Sequence, residues 1–187
     1  MKHVVCQVDF NEQLPYNEIK GKVGGDGMNM HMPIGVDDFR KIREEYYFVD
    51  KTNFIRQLID GHSDVTLITR PRRFGKTLTM SMLEYFFSID RCSESKTLFQ
   101  GLAIEKAGES YMCHRGAFPV IFLTLKGVQN DTWEDLYDAF CLCIQKEFQK
   151  HDYVLQGYTL KESEKEFYQR IMNRTAIGAE SQTSLLN

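Results

Sequence analysis

The amino-acid sequence predicts an α/β fold, a parallel sheet with flanking helices. Three observations lead there. Two apolar runs, at residues 65–69 and 118–125, have strand composition, and the second is continuous enough to suit a strand covered on both faces. Segments with apolar residues at helical spacing alternate with these runs. A Gly-Lys-Thr tripeptide, Gly75-Lys76-Thr77, stands where the first run gives way to a helical pattern. Two strong strands are few for an open parallel sheet, so the expected sheet is incomplete.

The elements follow in order. Residues 1–31 read as a flexible extension, because Gly21, Gly24, Gly25 and Gly27 crowd a stretch with no core-forming pattern. Within it, Val4, Val5, Cys6, Gln7 and Val8 have the look of a short strand, and Met30 or Met32 offers an alternative translation start. The folded region is expected over residues 32–174, with a truncated tail at 175–187. Asp37 or Asp38 is placed to cap a short helix carrying Phe39 and Ile42. Tyr46, Tyr47, Phe48 and Val49 form a strand-like aromatic run. Asp50 is expected to cap a helix with Phe54, Ile55, Leu58 and Ile59 on one face, ended by Gly61. The strand at 65–69 leads through a loop at 70–75 into a helix with Leu78, Met82, Leu83, Phe86 and Phe87. After the apolar run at 118–125, Asp131 can cap the longest helix, whose face holds Trp133, Leu136, Tyr137, Phe140, Ile144 and Phe148. A last helix is expected over residues 161–173 with Phe167, Ile171 and Met172.

Composition narrows the function classes. The chain has 187 residues, 42% hydrophobic and 26% charged, which is globular composition and excludes collagen, coiled-coil rod and a fully disordered chain. Against 23 Lys and Arg stand 26 Asp and Glu, so bulk electrostatic nucleic-acid binding is not expected. No apolar run has the length of a membrane span, and the N-terminus has no secretory h-region, so a cytoplasmic protein is expected. Five cysteines without a Cys-x-x-Cys pair predict free thiols rather than a disulfide framework or zinc site. The five histidines are scattered, with no metal-ligand spacing.

The segment with most chemical content is Arg70-Pro71-Arg72-Arg73-Phe74-Gly75-Lys76-Thr77. The phosphate-loop pattern is Gly, four residues, then Gly-Lys-Ser/Thr. The last three positions match, and Arg70 replaces the first glycine. Gly75 lets backbone amides approach phosphate oxygens, and the following helix N-terminus offers unpaired N–H groups. Lys76 reaches the outer phosphates as a point charge, and the Thr77 hydroxyl suits Mg²⁺. Phe74 and Gly75 are expected to contribute amides, Arg72 or Arg73 further positive charge. Pro71 supplies no N–H.

This loop resembles that of the AAA-ATPase-like domain family, P-loop proteins often followed by a PD-(D/E)XK nuclease-like domain. Other matching stretches are Pro33-Ile34-Gly35-Val36-Asp37-Asp38-Phe39, Tyr47-Phe48-Val49-Asp50-Lys51-Thr52, Leu98-Phe99-Gln100-Gly101-Leu102-Ala103-Ile104 and Phe118-Pro119-Val120-Ile121. In order they span residues 32–172, and the arginine at the first loop position is usual in that family. The resemblance implies binding of ATP with Mg²⁺ through the variant Walker A loop. It also implies a Walker B strand ending in acidic residues, for which the sequence offers only Asp9 after residues 4–8 and Asp90 at a helix end. The chain therefore reads as the N-terminal part of an ATPase whose hydrolytic machinery is incomplete here. Nucleotide is the expected partner and a homo-oligomer is compatible with the family. Nucleic acid would enter only through the absent C-terminal region, and no membrane is expected. Tyr46, Tyr47 and Phe48 are candidate neighbours of the base, and Asp50-Lys51-Thr52 a candidate nucleotide-sensing element. A rival reading makes the basic loop of a non-catalytic module contact nucleic-acid phosphates or an acidic partner. A third makes the chain a truncated gene product without function.

Overall fold

A computed structural model describes residues 5–8, 35–69, 71, 74–124, 131–156 and 160–175. Most of these residues are helical, and this overturns the predicted sheet. The only strands among them are β1 (Val5–Val8) and β2 (Val65–Ile68), four residues each. They pair in parallel, Val5 opposite Val65 and Val8 opposite Ile68, as a two-stranded ribbon. No multi-stranded parallel P-loop sheet forms among the described residues. The expected second strand at 118–125 does not form among the described residues: 119–124 have no regular secondary structure, and Phe118 makes a single isolated parallel bridge to Ser88. The run has strand composition but no ladder partner among the described residues, and a ladder forms only where a partner strand lies alongside. Leu125 lies outside the described residues, as do the glycines of the N-terminal extension and the expected tail beyond Thr175.

The chain divides into two compact units, Met1–Val120 and Ile121–Asn187. The first is built on α1 (Phe39–Glu45), α2 (Asn53–Gly61), α3 (Lys76–Phe87), α4 (Cys92–Leu98), α5 (Ala103–Lys106) and α6 (Glu109–Met112). Asp38 caps α1 as expected, its carboxylate accepting the Lys41 N–H at 2.8 Å. The core is aromatic. Phe39 stacks on Phe99 at 4.9 Å between centroids and meets Phe48 edge-on at 5.4 Å, while Phe86 meets Phe99 edge-on at 5.1 Å. Such pairings add to the burial of large rings. Ile55, Ile104, Met82 and Leu98 fill the space around them. The helices α4 to α6 have four to seven residues each, and their ends are tied by side chains. The Arg43 guanidinium donates to the carbonyls of Leu98 at 2.9 Å and Gln100 at 3.4 Å while lying over the Phe48 ring. The buried Phe39 N–H donates to Ser81 Oγ of α3 at 3.1 Å.

Asp50 does not cap the next helix as expected: Thr52 holds the N-cap of α2, which has no side-chain capping hydrogen bond, and Asp50 braces Thr52 instead. Its Oδ1 accepts from the Thr52 N–H and hydroxyl at 2.8 and 2.7 Å, and its Oδ2 accepts from the Ala103 N–H at 2.7 Å. Thr52, fully buried at the N-cap of α2, accepts the Ile104 N–H on its own hydroxyl oxygen at 3.1 Å. Two residues thus fasten the start of α5 to the start of α2.

The second unit is a helix pair, α7 (Trp133–Lys150) and α8 (Glu162–Met172). Thr132, not Asp131, caps α7, accepting the Asp135 N–H at 3.2 Å. Ile144 and Ile171 are buried, Phe148 and Tyr168 lie 4.6 Å apart, and the Tyr168 hydroxyl donates to the Phe148 carbonyl at 2.7 Å. Glu147 is buried on α7, paired with Lys150 and accepting the Phe122 N–H at 3.1 Å.

Candidate functional site

The loop after β2 and the first turn of α3 are where the sequence concentrates its chemistry. Gly75 occupies the N-cap with φ 73° and ψ 24°, the left-handed region where a Cβ is strained. A Cβ there would meet no atom within 4 Å, so conformation rather than crowding asks for glycine. The Gly75 carbonyl accepts two donors from one residue, the Thr79 N–H and the Thr79 hydroxyl, each at 2.9 Å. Leu78 packs on the core of the first unit and holds this turn to it. Lys76, Thr77 and Phe74 are exposed, Phe74 at 60%.

The start of α3 has no side-chain cap and no acidic residue in its first turn. α7 shows the contrast: Thr132 caps it, and Glu134 and Asp135 occupy its first turn. An uncapped helix start leaves N–H groups without intrahelical acceptors beside a partial positive charge, which suits an anion. The residues therefore fit a phosphate chain. For Mg²⁺ they offer the exposed Thr77 side chain.

The other singled-out residues are distributed as follows. Pro71 is exposed, and Arg70, Arg72, Arg73 and Asp9 lie outside the described residues. Asp90 is exposed in the 3-10 turn Ile89–Arg91, at the far end of α3 from Lys76. Twelve residues of helix separate them, about 18 Å at 1.5 Å per residue, so Asp90 does not join the loop. Phe48 belongs to the core packing against Phe39, whereas Tyr47 is 39% exposed. Asp50 and Thr52 are occupied by the backbone of α5. Among the described residues no three His, Cys, Asp or Glu side chains converge as a metal centre. Cys92, Cys113, Cys141 and Cys143 are free thiols. No described helix is long and apolar enough to cross a membrane. Sequence reading missed Thr79; its signal was a threonine four residues after the loop glycine, the spacing at which a hydroxyl reaches back to a helix carbonyl.

Comparison with known proteins gives a family. A family described as "Predicted AAA-ATPase" matches residues 33–186. An uncharacterised protein from the vnfD 5′ region of Azotobacter chroococcum mcd 1 is 44% identical over 75 residues, which are 39% of this chain and 13% of that protein. No solved structure matches.

Proposed function

This chain belongs to the predicted AAA-ATPase family, and from that premise we propose that it binds ATP through the loop at residues 70–77. The observation that carries the reading is the left-handed Gly75 at an uncapped helix start, with Lys76 and Thr77 exposed on the first turn. In this reading the amides of Phe74 and Gly75 face phosphate oxygens. Lys76 neutralises the outer phosphates, and Arg70, Arg72 and Arg73 add positive charge around a polyanion. The Thr77 hydroxyl is the protein ligand offered to Mg²⁺, which would neutralise charge on the phosphates. The proposal is one of binding, with turnover left to an acidic partner that the loop itself does not contain.

Calorimetric titration tests it. Wild-type protein is expected to bind ATP with Mg²⁺ far more tightly than adenosine. Lys76→Ala should weaken ATP binding by about 2–3 kcal/mol, the scale of a charge-assisted contact. Equal ATP affinity in wild type and variant overturns the reading. Affinity for mixed-sequence DNA that falls steeply with salt, without preference for triphosphates, would transfer the loop to the rival role in nucleic-acid contact.

A further inference from the structure

We propose that Thr79 is a positioning residue of the phosphate loop, its hydroxyl holding the Gly75–Lys76 peptide in the orientation that phosphate binding needs; the proposal rests on the ATP-binding reading above. The Gly75 carbonyl receives both the Thr79 N–H and the Thr79 hydroxyl at 2.9 Å, so it points along α3 toward the body of the helix. No peptide bond among the described residues is cis. In a planar trans peptide the C=O and the N–H of the next residue point in opposite directions. Fixing the Gly75 carbonyl therefore aims the Lys76 N–H outward, past the helix start, where an anion is attracted. Gly75 is the residue least able to hold that orientation alone, because glycine has the widest backbone freedom. The second donor also draws electron density from the carbonyl, and cooperative polarisation makes the Lys76 N–H a better donor. Thr79 itself does not touch the phosphate in this scheme.

The experiment is calorimetric titration of wild type, Thr79→Val and Thr79→Ser with ATP and Mg²⁺, with ADP and with adenosine. Urea unfolding of each protein runs beside it. Valine keeps the shape and removes the hydroxyl; serine keeps the hydroxyl and removes the methyl. The expected result is an ATP affinity about three- to tenfold weaker in Thr79→Val, the scale of one hydrogen bond. Thr79→Ser should restore it, and adenosine binding should not change. Thr79→Ala serves as a second hydroxyl-free variant should valine disturb the fold. If wild type binds ATP tightly and the folded hydroxyl-free variants bind it equally well, the role of Thr79 is overturned while the ATP-binding reading stands. If wild type does not prefer ATP to adenosine, the phosphate-loop reading fails and takes this proposal with it. If ATP and adenosine affinities fall together with stability, the Thr79 hydroxyl is structural only and the proposal is wrong.

Discussion

Replacing Thr52 with valine tests the joint between α2 and α5. The side chains have nearly the same shape and Thr52 is fully buried, so the substitution removes hydrogen bonding and leaves packing alone. Two interactions go. The hydroxyl no longer donates to the Asp50 carboxylate, now 2.7 Å away, a bond to a charged group worth about 1.5–3 kcal/mol. The Ile104 N–H, on a residue with no exposed surface, loses the acceptor it has at 3.1 Å, and an unsatisfied buried donor costs about 1–3 kcal/mol. Asp50 keeps the Thr52 and Ala103 N–H groups, so the two losses overlap in part. The expected destabilisation is about 2–4 kcal/mol. Urea unfolding followed by circular dichroism measures it, and at a slope of about 1–3 kcal/mol per molar the midpoint should fall by about 1 M or more. Amide hydrogen exchange gives the local readout: Ile104 should lose protection in Thr52→Val and keep it in Thr52→Ser. A stability change below about 0.5 kcal/mol, the ordinary range of surface substitutions, with Ile104 still protected, refutes the reasoning.

Further outcomes are expected elsewhere. Gly116→Ala should cost about 2–4 kcal/mol, because φ is 64° and a Cβ would stand 2.8 Å from both Cβ and Sγ of Cys92. Gly101→Ala, at φ 78° with nothing within 4 Å, should cost only the backbone strain of about 1 kcal/mol, and equal urea midpoints for the two variants would contradict this. Ser95→Ala should be neutral or stabilising by up to about 1 kcal/mol, since the hydroxyl is buried without a partner among the described residues and alanine favours the helix; a clear loss of stability would show a role for that hydroxyl. Burial, then the nearby Tyr153 and Asp152, pushes the Tyr168 phenol up to about 12. The raised value means the folded state holds this proton more tightly. Its contribution is therefore full below about pH 10 and lost as pH rises toward about 12, a decline that Tyr168→Phe should remove from a pH series of unfolding midpoints.

Local chemistry was the legible part of the sequence. Asp38 caps α1, and the spacing from Leu78 to Phe87 marks α3 almost to the residue, because both signals lie within one or two turns of chain. The cap of α7 was misplaced by one residue, Thr132 for Asp131, since both types accept well at that position. The run at 118–125 misled because composition reports what a segment prefers, not whether a second strand lies alongside it. α4, α5 and α6 escaped detection: helices of four to seven residues are too short to show a hydrophobic period, and tertiary ties such as Arg43 on Leu98 hold them. Asp50 was read as a local cap, whereas Thr52 holds that position and Asp50 braces Thr52 and reaches Ala103, a contact 53 positions away that no spacing rule reveals. For the candidate site, the sequence singled out the loop residues but not the conformation of the described ones. Gly75 announces a turn, but only the fold shows that Thr79 doubles the bond to its carbonyl.

The missing side chain of Gly116 leaves the first unit room for the Cys92 thiol. A Cβ at position 116 would come within 2.8 Å of the Cys92 sulfur, which is half-buried, while Cys113 stands exposed. The two thiols should therefore react with an alkylating reagent on different timescales. A half-buried sulfur meets the reagent less often than an exposed one, so Cys113 should be the faster to react.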